Sequence, residues 1–334
     1  MKKKKNTAAS HDNTQETHCG VVVRSTGNLH QVRLDNNDII ECRIKGKLRM
    51  QDMRTTNPVA VGDNVKLDID HNKQEVQGVI TAIEDRRNCI TRKSVNLSKH
   101  AHIIAANIDR AYLVVTLAKP QTSTVFIDRF LVTAEAHRIP VTIIFNKYDI
   151  YNDDSLDDLE ELQEVYTKIG YECLTMSALN PDDVEKLRAQ LNDQVSLFSG
   201  HSGVGKSTLI NALEPNLSLK IGEISEQYGE GKHTTTFAEM FPLSHAHDAY
   251  IIDTPGIRGF GIVDIDKDVV ANYFPEMFAI HHQCKFSNCL HLKEPKCAIV
   301  DAVDNDEIAL SRYDSYLSIY YADDEDQYRR NTRQ

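Results

Sequence analysis

The sequence predicts a multidomain α/β protein. It should have a small N-terminal β-barrel, a central, mainly parallel sheet flanked by helices, and a mostly helical C-terminal domain. Three observations lead to this prediction. Short apolar runs separated by turn residues fill residues 18–90. Strand and helix patterns alternate from residue 104 to residue 253, which is typical of a parallel sheet. Helical patterns, interrupted by a Cys/His cluster, occupy residues 268–334.

The composition is that of an ordinary globular protein. The chain has 334 residues, of which 41% are hydrophobic and 26% charged, so it is long enough for two or three domains. No apolar run approaches the length of a membrane span. The basic start, Met1–Lys5, is followed by polar residues instead of an apolar signal core, which predicts a cytoplasmic protein. Seven cysteines without such a signal argue against a disulfide framework.

Charge is divided unevenly along the chain. The net charge is −11, yet residues 1–105 carry more Lys and Arg than Asp and Glu, and the remainder carries the reverse. We expect residues 1–17, which are polar and carry four lysines at their start, to form a disordered tail. A basic N-terminal part on an acidic body suits local contact with a polyanion, although charge alone favours a merely solvated surface.

The first domain, residues 18–95, is expected to be an OB-type β-barrel. Val65, Leu67 and Ile69 alternate with polar residues, as in a half-buried strand, and three further short apolar runs share this segment. Basic side chains that would suit RNA gather in two places: Arg43, Lys45, Lys47, Arg49, Arg86, Arg87, Arg92 and Lys93. A plain structural module is an equally good interpretation of this segment.

The second domain, residues 96–265, alternates strands and helices. Buried strands are predicted at Ala111–Val115, Val141–Phe145, Tyr171–Met176, Val195–Phe198 and Ala249–Asp253. Helices are predicted at Phe126–His137, Leu156–Ile169, Asp182–Leu191 and Ser207–Leu213. Because strand and helix alternate, these elements predict a parallel sheet with helices on its faces.

Residues 200–207, Gly-His-Ser-Gly-Val-Gly-Lys-Ser, match the phosphate-binding pattern G-x-x-x-x-G-K-[ST]. Glycines let the backbone approach a phosphate chain closely, and its N–H groups then bind the anion at a helix N-terminus. Lys206 would place a positive charge on the outer phosphates, and the Ser207 hydroxyl would hold Mg²⁺. The predicted strand before this P-loop and the helix after it make a chance glycine-rich turn the weaker interpretation.

A second pattern, N-K-x-D, is typical of guanine recognition. It follows a predicted strand directly, as Asn146-Lys147-Tyr148-Asp149. An ionised Asp149 can accept hydrogen bonds from guanine N1–H and the exocyclic amine, whereas adenine lacks donors in this arrangement. Asn146 and Lys147 would brace the site and cover the ring. Ser177-Ala178 follows the next strand and fits the loop whose backbone contacts the guanine oxygen.

The pattern D-x-x-G ends another predicted strand, with Asp253 first and Gly256 last. Asp253 would hold Mg²⁺ through water, and the Gly256 N–H would contact the γ-phosphate. Three threonines lie between the P-loop and this pattern, and one of them would complete the Mg²⁺ shell. Thr235 is the preferred candidate, with Thr234 and Thr236 as alternatives.

Ile257, directly after D-x-x-G, predicts slow hydrolysis. Many GTPases carry there a glutamine that orients the attacking water, which an apolar side chain cannot do. His233 is the internal candidate for this task, because a neutral imidazole beside the γ-phosphate could orient water. The alternative is that His233 only packs against or caps the neighbouring segment.

The order of these patterns is not the usual one. Ordinary GTPases run from the P-loop through the threonine and D-x-x-G to N-K-x-D, whereas here N-K-x-D and Ser-Ala come first. The sequence therefore predicts a circularly permuted P-loop GTPase domain. In this arrangement the segment after D-x-x-G leads directly into the C-terminal domain, which gives the nucleotide state a covalent route to it.

The third domain, residues 266–334, is expected to be mostly helical and to bind zinc. Three thiols and one imidazole lie within fourteen residues, at Cys284, Cys289, His291 and Cys297. Such a set makes a closed, four-coordinate structural zinc site, with no position left for a catalytic water. His281 and His282 are spare donors nearby, and unrelated free cysteines are the alternative interpretation.

Taken together, these motifs resemble the ribosome small-subunit-dependent GTPase A family of circularly permuted GTPases. The resemblance covers about residues 18–322 and rests on the motifs at 146–149, 200–208, 231–236, 253–257 and 284–297, and on Arg312-Tyr313-x-x-Tyr316. It implies a GTPase that binds the small (30S) ribosomal subunit and its rRNA and is stimulated by that subunit. It further implies a role in late subunit maturation and in the release of another assembly factor.

The resemblance also carries site residues onto this chain. It implies binding of GTP or GDP by Asn146, Lys147, Tyr148, Asp149, Gly200, His201, Ser202, Gly203, Val204, Gly205, Lys206, Ser207 and Thr208. It implies one structural zinc ion at the Cys₃His set, and Mg²⁺ bound with GTP. We expect His233, Lys206 and Thr235 to be the catalytic residues and the protein to be a monomer. A non-catalytic, GTP-regulated RNA-binding adaptor and a metabolic P-loop kinase or ATPase are the alternatives.

Overall fold

The computed structural model describes residues 17–46, 58–70, 77–93, 101–217, 219, 238–246, 248–254 and 265–331. It confirms the predicted fold class, with a closed barrel, a mainly parallel sheet and a helical C-terminal region. The strand Val141–Phe145 has the predicted bounds, and the other predicted elements of the central domain shift by at most three residues at either end. Nearly all of the predicted basic tail lies outside the described residues.

Five strands form the N-terminal barrel. They are β1 (Thr17–Thr26), β2 (Leu29–Leu34), β3 (Ile39–Ile44), β4 (Asn64–Asp70) and β5 (Gln77–Ile83). Their order is β1-β2-β3-β5-β4, and β4 pairs back with β1, which closes the sheet. Alternate residues of each strand point inward, so Val22, Val32, Leu67 and Ile80 form a core with no exposed surface.

A two-stranded sheet, β6 (Cys89–Lys93) with β7 (Ala101–Ala106), leads from the barrel into the central domain. The chain approaches itself closely here, because a Cβ atom on Gly62 would lie 2.2 Å from the Ala106 carbonyl oxygen. Gly62 also has a φ of +88°, which glycine adopts at little cost. The Asn107 amide donates to the Gly62 carbonyl at 2.9 Å and fixes the junction.

Six strands form the central sheet. They are β8 (Arg110–Val115), β9 (Val141–Phe145), β10 (Glu172–Thr175), β11 (Val195–Ser199), β12 (Glu239–Pro242) and β13 (Tyr250–Asp253). Their order is β10-β9-β8-β11-β13-β12, and all are parallel except β12. Strand β12 also pairs with β1 at Glu239 and Arg24, so the barrel and the central sheet are continuous.

Helices cover both faces of this sheet. They are α1 (Thr124–Ala136), α2 (Asp153–Ile169), α3 (Pro181–Gln190) and α4 (Lys206–Leu213). Alternate residues of β8 show the two layers: Leu113 packs in one core with α1 and α2, and Val114 in the other with α3 and α4. A strand buried on both faces reads as a continuous apolar run, which is why its pattern was visible in the sequence.

The C-terminal region is mostly helical, as predicted. It contains α5 (Pro275–Ile280), α6 (Ala298–Asp304) and α7 (Leu310–Asn331), with 3₁₀ turns at Lys267–Tyr273 and His281–Gln283. Phe274, Ile299 and Tyr316 form its core, and Val132 of α1 belongs to the same cluster. Helix α1 therefore packs in both the central and the C-terminal cores. Among the described residues, no helix combines the length and apolar character needed to cross a membrane.

Candidate functional site

The P-loop has the backbone that its glycines allow. It begins after β11, and Gly203 and Gly205 have φ angles of +89° and +91°, in the left-handed region. A Cβ atom on Gly200 would lie 2.5 Å from the Val114 carbonyl oxygen. Helix α4 then starts at Lys206, so the loop presents backbone N–H groups at a helix N-terminus.

The end of β13 lies beside the start of α4. Lys206 is 8% exposed, and its ammonium donates to the Asp253 carboxylate, which is itself buried. The neighbouring Thr254 hydroxyl donates to the Phe198 carbonyl at 2.9 Å, which holds the end of β13 against β11. The structure thus brings the P-loop lysine and the first residue of D-x-x-G together, as the sequence predicts. Ser207 and Thr208 lie half-buried in the first turn of α4.

Asn146 joins three loops that are far apart in the sequence. Its amide donates to the Val204 carbonyl at 2.8 Å, and its carbonyl oxygen accepts from the Ala178 N–H at 3.0 Å. The side chain is 1% exposed, and Tyr151 anchors its backbone by donating to the Asn146 carbonyl at 2.7 Å. One carboxamide therefore connects the N-K-x-D, P-loop and Ser-Ala segments.

Lys147 braces the same loop from outside. Its ammonium donates to the Gly203 carbonyl at 2.6 Å and to the Lys119 carbonyl at 2.7 Å. Burial lowers the pKa of Lys147, and the nearby Asp149 carboxylate partly offsets this. The expected bracing role of Asn146 and Lys147 thus has a geometric basis.

Asp149 lies in a 3₁₀ turn, Tyr148–Ile150, where it is exposed to solvent. The Tyr148 N–H donates to the Met176 carbonyl at 3.3 Å, which places the turn beside the Ser-Ala loop. That loop is ordered by Asp183, whose carboxylate accepts from the Ser177 N–H at 3.0 Å. An exposed carboxylate beside two ordered backbone loops is a suitable acceptor for the donor edge of guanine.

His201 makes contacts that its motif position did not predict. One ring nitrogen, Nε2, lies 2.7 Å from the Thr122 hydroxyl, and the other, Nδ1, lies 3.1 Å from the Ser202 carbonyl. Its ring also meets Phe126 edge-on, with centroids 5.2 Å apart. Burial lowers the pKa of His201, and the Lys147 charge lowers it further. The only sequence signal was an imidazole at a variable position of the P-loop pattern.

The structure leaves part of the predicted site undescribed. His233, the threonines Thr234 to Thr236, Gly256 and Ile257 lie outside the described residues. Their roles at the γ-phosphate, at Mg²⁺ and in positioning water therefore stay predictions.

The four predicted zinc ligands converge. The ligand atoms of Cys284, Cys289, His291 and Cys297 all lie within 4.8 Å of one another. The Nδ1 atom of His291 lies 3.6 Å from the Cys284 sulfur and 3.4 Å from the Cys297 sulfur. The donor set fits a structural zinc ion, which would link the two ends of this segment.

Protonation in this cluster follows from burial. Burial raises the pKa of Cys289 to about 12, and hydrogen bonding and charge from the neighbouring thiols add to the effect. Burial lowers the pKa of His291, which favours the neutral imidazole that a metal ligand requires. His281 is not among the four clustered residues, and its Nδ1 lies 2.6 Å from the Phe278 carbonyl oxygen.

Groups behind the ligands hold the loop in place. The Tyr313 hydroxyl donates to the His291 carbonyl at 2.7 Å, and the Tyr316 hydroxyl to the Leu290 carbonyl at 2.5 Å. The Glu294 carboxylate accepts from three backbone N–H groups, those of Leu290, Leu292 and Lys293. Burial opposes ionisation, but these bonds outweigh it and lower the pKa of Glu294 to about 2.

The basic residues of the barrel divide into two groups. Arg43 and Lys45 are exposed on and beyond β3. Arg86, by contrast, donates to the buried Asp63 carboxylate at 2.6 and 2.8 Å and to the Pro58 carbonyl, so it belongs to the barrel structure. Arg87 forms an exposed pair with Asp109 at 2.7 Å. Lys47 and Arg49 lie outside the described residues.

The sheet topology, the three assembled loops and the order of their motifs define a circularly permuted P-loop GTPase. Comparison with known proteins then identifies the family. Residues 83–263 match the RsgA GTPase family and residues 19–80 the RsgA N-terminal domain. The chain belongs to the RsgA GTPase family.

Curated relatives and solved structures agree with this assignment. A protein of Flavobacterium johnsoniae named Small ribosomal subunit biogenesis GTPase RsgA is 55% identical, over 92% of this chain and 94% of its own. A protein of the same name from Bacteroides fragilis is 52% identical, over 93% and 98% of the two chains.

The crystal structure of YjeQ from Thermotoga maritima superposes with a TM-score of 0.73 at 34% identity, covering 92% of this chain and 98% of that one. YloQ, described as a circularly permuted GTPase, superposes with a TM-score of 0.68 at 28% identity, covering 94% and 97%. The likeness therefore extends over nearly the whole chain in both comparisons.

Proposed function

We propose that this GTPase acts in late maturation of the small (30S) ribosomal subunit, hydrolysing GTP to GDP and phosphate slowly alone and faster on the subunit. The observation that carries the nucleotide assignment is the Asn146 carboxamide, which joins the guanine and phosphate loops across 58 residues of sequence. The ribosomal target is supported by the name of relatives that match more than nine-tenths of this chain.

Each site residue has a role within this proposal. Lys206 binds the outer phosphates, and Asp149 accepts the hydrogen bonds that distinguish guanine from adenine. Ser207 and Thr235 would hold Mg²⁺, whose positive charge would offset the negative charge of the phosphates. The Gly256 N–H would contact the γ-phosphate, so that loss of this phosphate would break the contact.

Slow hydrolysis by the isolated protein follows from Ile257, whose side chain cannot orient water. His233 is the group proposed to position the attacking water, and binding of the small ribosomal subunit would accelerate this step. The proposal includes the release of another assembly factor once GTP is hydrolysed. We place the protein in the cytoplasm. We also propose that it is a monomer, which sedimentation of the purified protein tests.

The barrel and the C-terminal domain are the proposed rRNA-binding surfaces. Arg43 and Lys45 are exposed on the barrel and are free of the internal role that Arg86 has. One structural zinc ion at the Cys₃His cluster would fix the loop of the C-terminal domain. Phosphate contacts by Lys and Arg would make binding depend strongly on salt.

The direct test is steady-state GTP turnover by the purified protein with and without purified small subunits, with large subunits as the control. We expect turnover to rise with small subunits only, and to be lost in Lys206→Ala under both conditions. Turnover that small subunits leave unchanged would contradict the proposal and favour a non-catalytic, GTP-regulated adaptor. Equal hydrolysis of ATP would favour a metabolic ATPase.

A further inference from the structure

Helix α1 lies between the P-loop and the C-terminal domain. Its side chains divide between them: Ile127, Phe130 and Leu131 pack in the central core, and Val132 packs with Phe274 and Tyr316 of the C-terminal core. A helix shared by two cores transmits a displacement of either one, because packed interiors are close to incompressible.

The first contact of interest, which we call the His201–Thr122 contact, lies just before α1. The Ser202 carbonyl can only accept, so Nδ1 of His201 carries the proton and Nε2 accepts from the Thr122 hydroxyl at 2.7 Å. The Thr122 oxygen in turn accepts from the Thr116 N–H at 3.0 Å. Thr122 is 4% exposed, so little water competes for the two bonds of its hydroxyl, whereas the Nδ1 bond to Ser202 is exposed.

The contact is continued by the first turn of α1. Ser123 caps the helix by accepting from the Phe126 N–H at 3.3 Å, and the Phe126 ring meets the His201 ring edge-on. The P-loop imidazole is thus held by a hydroxyl on one side and an aromatic edge on the other. Phe126 lies in the first turn of α1 and Thr122 directly precedes the cap residue Ser123, so both groups are tied to the start of this helix.

The opposite side of α1 is fixed by a buried ion pair. Asp128 has no exposed surface, and its carboxylate accepts from Arg312 of α7 at 2.5 Å and from the Tyr166 hydroxyl at 2.9 Å. Arg312 also donates to Glu276 of α5 at 2.7 Å and stacks over Phe274. Burial lowers the pKa of Arg312, but the two carboxylates outweigh it, so the guanidinium stays charged.

We infer that His201 and Thr122 are positioning residues of the nucleotide site, and that the C-terminal domain sets their place through the Asp128–Arg312 ion pair and helix α1. The P-loop carbonyls and N–H groups that surround the phosphates move with His201. Small displacements of such groups are costly, because phosphate binding depends on their geometry. The inference rests on the proposed nucleotide site, which binding of GDP to the unaltered protein tests separately.

The first experiment measures binding of a fluorescent GDP analogue. Thr122→Val keeps the shape of the side chain but removes the hydroxyl, and His201→Phe keeps the ring but removes the acceptor. We expect each to weaken binding by about tenfold, the cost of one buried hydrogen bond left unmade. Thr122→Ser, which retains the hydroxyl, should bind like the unaltered protein. Equal binding by Thr122→Val and Thr122→Ser would overturn the inference.

The second experiment tests the route through α1. Arg312→Lys keeps the charge but cannot hold two carboxylates in a planar fork, and it should weaken GDP binding severalfold without touching the P-loop. In the Thr122→Val background the same change should have little further effect, because the contact that it acts through is gone. If the double variant instead loses GDP affinity by the sum of the two single losses, coupling through α1 is contradicted.

Controls separate positioning from loss of folded protein. Ile80→Ala removes a buried side chain from the barrel core, which includes no residue of α1 or of the C-terminal domain, so it should not change GDP affinity. An equal loss of GDP affinity in Ile80→Ala would show general destabilisation and overturn the inference. Where Arg312→Lys fails to fold, Glu276→Gln provides the second variant. In turnover assays, positioning raises KM at nearly constant kcat, whereas partial unfolding lowers kcat at constant KM.

Discussion

The nucleotide site and the Cys/His cluster are assembled over different distances in the sequence. The nucleotide site depends on contacts between remote segments, such as Asn146 with Val204 and with Ala178, which are 58 and 32 residues away. The four cluster residues instead lie within fourteen positions, from Cys284 to Cys297.

This difference explains why one site tolerates a reordered chain. Contacts made through space need only the correct strands side by side, and the central sheet supplies them whichever end the chain starts from. A cluster of neighbouring residues depends instead on its own spacing and on the side chains that hold its loop in place. Here the hydroxyls of Tyr313 and Tyr316 of α7 do so by hydrogen bonding to backbone carbonyls of the loop.

The largest effect is expected at the cluster. Cys297→Ser removes a buried thiol ligand, and the purified protein should lose its zinc, because binding of structural zinc is strong only with the full set of ligands. Zinc content measured after dialysis should fall from roughly one ion per chain to near zero. Cys19→Ser, at an exposed cysteine of β1, is the control and should retain zinc. Zinc retained by Cys297→Ser would show that the cluster is not the metal site.

The second effect breaks the remote contacts of the nucleotide site. Asn146→Ala leaves the Val204 carbonyl and the Ala178 N–H without their partner, which costs about 2–3 kcal/mol, or roughly a hundredfold in GDP affinity. Equilibrium binding of labelled GDP measures it. Asn152→Ala removes the cap of α2, outside the site, and should bind GDP normally. Equal affinities in the two variants would refute the role of Asn146.

The third effect distinguishes the cost of a strained backbone from the cost of a steric clash in the nucleotide site. Gly205→Ala places a Cβ atom 2.4 Å from the Asn146 amide nitrogen at a φ of +91°, so it should weaken GDP binding by about tenfold. Gly170→Ala has a φ of +114° but meets no atom within 4 Å. Denaturant unfolding should show both variants destabilised, while only Gly205→Ala loses affinity. Lost affinity in Gly170→Ala would assign the effect to stability alone.

The smallest effect concerns the tyrosine hydrogen bonds that hold the cluster loop in place. Tyr313→Phe removes the hydroxyl that donates to the His291 carbonyl, which costs about 1 kcal/mol. Competition with a chromogenic chelator should show zinc affinity reduced about fivefold. Tyr321→Phe, on an exposed tyrosine of the same helix, is the matched control. No difference between the two would mean that the ligands alone determine zinc affinity.

The sequence predicted most of the elements and motifs but few of the contacts between them. The P-loop and the four cluster ligands have short, fixed spacings, so each is visible as a pattern. Strand β12 was not predicted, because Glu239–Pro242 holds a glutamate and a proline and has no apolar run. Arg86 and Arg87 are neighbours in a basic stretch, yet Arg86 is committed to Asp63, and sequence clustering does not distinguish the two.

Two long-range contacts, one just before α1 and one on it, could not be predicted from the sequence for a physical reason. Thr122 and His201 are 79 residues apart, and Asp128 and Arg312 are 184 apart. Such pairs form only once α1 is packed against both cores, and no local propensity or spacing records them. The motif Arg312-Tyr313-x-x-Tyr316 is recognisable in the sequence, but only the structure shows its contacts. Arg312 pairs with Asp128 and Glu276, and the two tyrosines hold the cluster loop.

The central claim is that Asp149 of the N-K-x-D motif, which precedes the P-loop in the sequence, makes the nucleotide site specific for guanine. The most direct measurement compares guanosine and xanthosine diphosphate binding in the unaltered protein and in Asp149→Asn. An asparagine cannot accept both guanine donors, but its amide can donate to the xanthine oxygen. We expect the unaltered protein to prefer guanosine diphosphate and the variant to prefer xanthosine diphosphate. Unchanged guanosine diphosphate affinity in Asp149→Asn would contradict the claim.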